Sequence, residues 1–158
     1  MTDRPTTWVG LWLQAMLACD WARTEKLRTR LNSGNRKGWT LDEPAVVRAT
    51  VDLAMDRQFD GRYDPRAVNA FATLLREGVG EQGKMLEIDL IQGQIRKSLN
   101  GEGPSQDDPN IALLQHIHTT SLQVMVMESG ITDAEIATLI VQAEDLARNR
   151  GWNPPLGP

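Results

Sequence analysis

Two histidines, three evenly spaced aspartates and one cysteine are the side chains whose type and spacing invite chemistry. His116 and His118 are the only histidines of the chain. Two positions apart on a helix, at ~100° per residue, they point ~200° apart and cannot close on one metal ion. Helical di-metal sites want Glu-x-x-His pairs, and neither histidine has an acid three residues before it. His118 shares its helical face with Ile111, Leu114, Leu122 and Met125, the place of a hydrogen-bonded core or interface histidine. Asp52, Asp56 and Asp60 recur every fourth residue, and Arg48 precedes them at the same interval. Three carboxylates on one face suit a hard cation or acid–base work. No acidic motif answers from a second helix, so the spacing predicts a solvated face with Arg48 paired to Asp52. An enzyme is then the weakest reading, and it requires Asp52, Asp56 and His118 to meet in one cleft. Cys19 falls in an apolar stretch that disfavours a thiolate. No catalytic residue, metal ligand or cofactor site is expected.

Two motif matches fail on context. Gly78-Val-Gly-Glu-Gln-Gly83 fits G-x-G-x-x-G, but Phe71–Arg76 before it has helical period where a dinucleotide site needs a strand. A helix end and loop is the better reading. Ser129–Ile136 resembles the turn of a helix-turn-helix, yet the following helix carries Asp133, Glu135, Glu144 and Asp145, charges that repel phosphate.

The basic stretch is more informative. Residues 23–38 hold six cations and one acid, a net +5 in a chain whose net charge is −4, which leaves −9 for the remainder. Arg28, Arg30, Arg36 and Lys37, followed by Trp39, are candidates for contacting a phosphate backbone and stacking a base. The same cations would complement the dipole of a helix end, or meet an acidic protein surface. Tryptophan is over-used, five against one Tyr and two Phe. Trp8, Trp12, Trp39 and Trp152 are therefore interaction candidates, because Trp is favoured at interface centres. From Trp8 to Ala22 only Gln14 and Asp20 are polar, the pattern of a helix covered by its own bundle or by a partner. Arg4, this apolar stretch and Cys19 imitate a lipoprotein signal, but Asp3, Gln14 and Met16-Leu17 argue for a buried helix.

The elements that must position these residues are helical. No segment alternates as a strand does, and the punctuation divides about six helices, near 7–32, 43–58, 65–77, 84–99, 109–129 and 133–149. Thr40-Leu-Asp-Glu43 and Thr132-Asp-Ala-Glu135 have capping-box spacing, and Asp64-Pro65 and Asp108-Pro109 place a cap before a first-turn proline. Ile88, Ile91, Ile95 and Leu99 form one face. Trp152–Pro158, with three prolines, cannot be helical and would need to dock if ordered.

The fold expected is an all-α single-domain bundle over residues 1–158. The linker at 100–108 offers a subdivision into a four-helix part, 1–99, and a hairpin, 109–150. A chain of 158 residues with 41% apolar and 24% charged side chains can bury a core, and no apolar run reaches the ~20 residues of a membrane span. One cysteine fits a reducing, cytoplasmic setting. The function expected is a non-catalytic protein-interaction or assembly subunit that self-associates. An accessory nucleic-acid binder using the basic segment 23–39 is the alternative.

Overall fold

The computed structural model describes residues 4–31, 42–78, 87–101 and 111–158. Among them are seven helices: α1 (Trp8–Leu17), α2 (Trp21–Leu31), α3 (Asp42–Phe59), α4 (Pro65–Gly78), α5 (Ile88–Leu99), α6 (Ile111–Ser129) and α7 (Asp133–Asn149). One isolated antiparallel bridge, between Thr7 and Leu156, is the only extended pairing among the described residues. The protein is all-α. It divides into two compact units, residues 1–50 with 129–158, and residues 51–128. The borders fall inside α3 and at the end of α6.

Where one long first helix is expected, the chain builds two. Ala18 caps α1, Cys19 takes the left-handed conformation (φ 59°), and the backbone closes a double turn. Cys19 N–H donates to Met16 C=O at 3.1 Å and Asp20 N–H to Ala15 C=O at 2.9 Å, the two bonds of a Schellman stop. Asp20 then starts α2, its Oδ1 accepting the Arg23 N–H at 3.2 Å. The stop lacks the glycine that usually announces it, so periodicity reads through it. Cys19 is consequently exposed on the link, and not inside an apolar helix.

In the first unit α1 packs on α2 and α7. Its side chains from Val9 to Leu17 are buried except Gln14, so its nearly uniform apolar character reflects a central position. α7 faces it with Ile136, Leu139, Ile140, Ala143 and Ala147. The expected box at Thr132 is present: the hydroxyl accepts from Glu135 N–H, and Glu135 reaches back to the Thr132 N–H. In the second unit α4 and α5 are neighbours. Asp64 caps α4 ahead of Pro65, accepting the Arg66 N–H at 3.0 Å. Phe59 of α3 and Phe71 of α4 meet edge to face at 5.7 Å, and Val68, Leu75, Ile91, Ile95, Ile117 and Leu122 are fully buried. Thr40, Leu41, Gly80, Gly83, Asp108 and Pro109 lie outside the described residues, as does most of the 100–108 linker.

Candidate functional site

α2 is the charged helix of the first unit. Thr24 and Leu31 are buried, Leu27 is half-buried, and the other eight residues are exposed. At ~100° per residue, Arg23, Lys26 and Arg30 (i, i+3, i+7) form one flank, and Trp21, Glu25 and Arg28 (i, i+4, i+7) form the other. Glu25 neutralises part of the second flank through an ion pair to Arg28 at 2.9 Å. Arg30 lies over the Trp8 ring, 5.0 Å from its centroid, which joins the first flank to α1. Trp21, at the head of the helix, leaves 56% of its surface in solvent. It is one of four large hydrophobic side chains left exposed among the described residues, with Leu74, Met127 and Leu156, and the one that stands on a helix with four cations.

The sequence-derived candidates fare unequally against this geometry. Trp12 is buried at 7% exposure and Trp8 is half-buried, so neither is an open anchor; both belong to the packing of α1. Trp152 is half-buried. Arg28 and Arg30 are exposed on α2 but on opposite flanks. Trp39, Arg36 and Lys37 lie outside the described residues. Trp21 was hidden from sequence reasoning because it fell inside a helix read as apolar all round. The signal that could have found it is Asp20, an N-cap residue immediately ahead, after which the charged positions begin.

The acidic and histidine candidates form internal bridges in the second unit. Asp52 is buried, at 7% exposure, which overturns the solvated face expected at its position; Arg48, at 4%, is buried too. Asp56 and Asp60 are exposed. Ser98 Oγ–H donates to Asp52 Oδ1 at 2.5 Å, and His118 Nε2 lies 3.3 Å from Gln94 Oε1. Gln94 and Ser98 are one turn apart on α5, so Asp52 of α3 and His118 of α6 meet the same face of one helix. Asp56 does not join them. All four groups are more than nine-tenths buried, leaving no access for a substrate to either pair. The side chains satisfy one another, as buried polar groups must. Among the described residues no cluster of three or more His, Cys, Asp or Glu is disposed to hold a metal ion, and no helix is long and apolar enough to cross a membrane.

One buried acid went unnoticed in the sequence. Glu144 of α7, 1% exposed, turns its carboxylate to the start of α1. It accepts the Thr7 N–H at 2.7 Å and the Thr6 N–H at 3.0 Å, together with the Thr7 hydroxyl. Thr7 Oγ1 in turn accepts the Gly10 N–H at 2.9 Å as the N-cap of α1. A carboxylate at a helix N-terminus, taking several donors, is favoured by both charge and dipole. Gly10 makes room for it: a Cβ there would lie 2.7 Å from Glu144 Oε2. As one more acid in a charged helix, Glu144 carries no local mark of this role.

No protein-family model matches the chain, and no characterised protein or solved structure matches it either.

Proposed function

We propose that this protein is a non-catalytic helical interaction subunit that docks a protein partner on the outer surface of α2. The observation that carries the reading is Trp21: a large amphipathic ring, more than half exposed, on one flank with Arg28, while Arg23 and Lys26 lie exposed on the opposite flank of the same helix. Aromatic and arginine side chains supply most of the energy at interface centres, and cations on the surround steer an acidic partner. With Trp12 buried and Trp8 half-buried, this reading rests on the exposed ring of the neighbouring helix. The non-catalytic part is supported by the enclosure of Asp52 and His118, whose partners are Ser98 and Gln94. Self-association belongs to the same reading, with the net acidic remainder of a second copy as one acidic surface available to α2.

The test is copurification from native cells with the intact chain and with Trp21→Ser and Arg28→Glu. A specific partner, or a second copy, should bind at least about tenfold more weakly to either variant, while circular dichroism stays unchanged. A partner that binds both variants normally sinks the reading.

The Arg23–Lys26–Arg30 flank and an exposed indole on the same helix also favour a second reading, an accessory nucleic-acid binder, because cations hold phosphate and an open ring can stack a base. Its mark is affinity for oligonucleotides that falls steeply with salt and with Lys26→Glu. Affinity indifferent to both rejects it.

A further inference from the structure

The short extended stretch Thr6–Trp8 is fixed on one side and occupied on the other. Glu144 holds the Thr6 and Thr7 N–H groups, Arg148 donates to Thr6 Oγ1 at 3.1 Å, and Thr7 caps α1. These contacts set the stretch from α7 and α1 alone. Its remaining edge presents the Trp8 N–H and the Thr6 C=O. Trp8 N–H donates to Pro155 C=O at 3.2 Å, and Gly157 N–H donates to Thr6 C=O at 2.8 Å, flanking the Thr7–Leu156 bridge. This is the geometry of strand addition to a preformed edge, in which main-chain bonds give affinity and alternate side chains give selectivity.

We infer that the edge of Thr6–Trp8 is a binding site for an extended Pro-Pro-x-Gly segment, filled by residues 154–157 of the same chain, and that a second copy supplies the same segment in trans. The seated residues state the selectivity. Pro154 is buried and Pro155 half-buried, both pre-set in extended backbone. Leu156 is 67% exposed, so its position accepts many side chains. Gly157 sits close: a Cβ would stand 3.1 Å from Leu11 Cδ1, so the Leu11 side chain would have to give way by a few tenths of an ångström, and larger side chains by more.

A second copy is the favoured occupant because it carries the sequence that fits, and exchange replaces each contact with its equal. The hinge is Gly151, whose φ of 91° turns the chain back after α7. Exchange requires this residue to extend and give up the Gly151 N–H to Arg148 C=O and Trp152 N–H to Ala147 C=O bonds that close α7. In its own molecule the segment enjoys an effective concentration on the order of millimolar, so the native chain exchanges only when crowded. The surface is distinct from α2, and the inference stands or falls apart from that reading.

Gly151→Val tests it directly. A Cβ at 151 meets nothing within 4 Å, so the substitution penalises the positive φ of the folded-back hinge without a clash. Sedimentation velocity should show dimers at concentrations about tenfold lower than for the native chain, while Gly151→Asn, which tolerates that conformation, should shift less. A synthetic peptide of residues 152–158 in excess should return the dimers to monomers, and the same peptide with Gly157→Val should not. The labelled peptide should also bind the native chain at about millimolar concentration, a measurement that serves if Gly151→Val fails to fold. Gly151→Val staying monomeric at all concentrations, or no peptide binding to the native chain, overturns the inference. Dimers that ignore the peptide but dissolve with Trp21→Ser also overturn it, and assign self-association to α2.

Discussion

α1 and α2 are adjacent, nearly equal in length and separated by three residues, yet they carry opposite burdens. α1 is buried on almost every side, and what secures it is as much polar as apolar: its first turn is closed by Thr7 and by Glu144 from the far end of the unit. α2 buries a narrow strip, Thr24 and Leu31, and turns its charge and an indole outward. The contrast teaches that hydrophobic content along a stretch does not locate an interface. Two tryptophans in the apolar helix are internal or half-buried, and the one in the cationic helix is open.

The sharpest way to break the comparison is to truncate a tryptophan in each helix. Trp12→Ala removes a buried ring and should cost about 4 kcal/mol in urea unfolding. Trp21→Ala should change stability by less than about 0.5 kcal/mol, because its ring is already in water. Equal effects would mean that α1 is not the core helix. Glu144→Leu comes next, leaving the buried Thr7 N–H and the part-buried Thr6 N–H without this acceptor. A loss of about 3 kcal/mol is expected, measured the same way; a loss near zero would show that the start of α1 holds without α7. A smaller effect than that of Glu144→Leu belongs to the link. Cys19→Gly should raise stability by about 0.5–1 kcal/mol, since glycine adopts the left-handed conformation without penalty. A loss of similar size would instead favour the uninterrupted helix that periodicity suggests.

Much of the fold is legible because its signals are local. Asp64-Pro65 and Thr132–Glu135 fix helix starts within a few residues, and α7 ends at Asn149 as the pattern requires. The break at Cys19 is not legible, because its backbone bonds are made by a residue with no preference for that conformation. The candidate surface was legible in charge but not in its centre: the cations from 23 to 30 are plain, while Trp21 changes role once the helix restarts at Asp20. Glu144, Asp52 and Ser98 were opaque for a different reason. Their meaning depends on partners 46 or more positions away, and nothing in their immediate neighbours distinguishes a buried carboxylate from a solvated one.

The two polar bridges on α5 also act as a vernier on assembly. Ile91 and Ile95 alone would tolerate α5 sliding or turning against its neighbours, since one apolar contact substitutes for another at small expense. Gln94 and Ser98 do not grant that freedom. A rotation of one residue breaks both the His118–Gln94 contact and the Ser98–Asp52 bond; a slip of one turn toward either end can restore a polar pairing at most for one of them, and in one direction sets Leu90 against the imidazole. Alignment of the second unit is thereby written in two hydrogen bonds rather than in the bulk of its hydrophobic contacts, and mispaired collapsed states are penalised for it during folding.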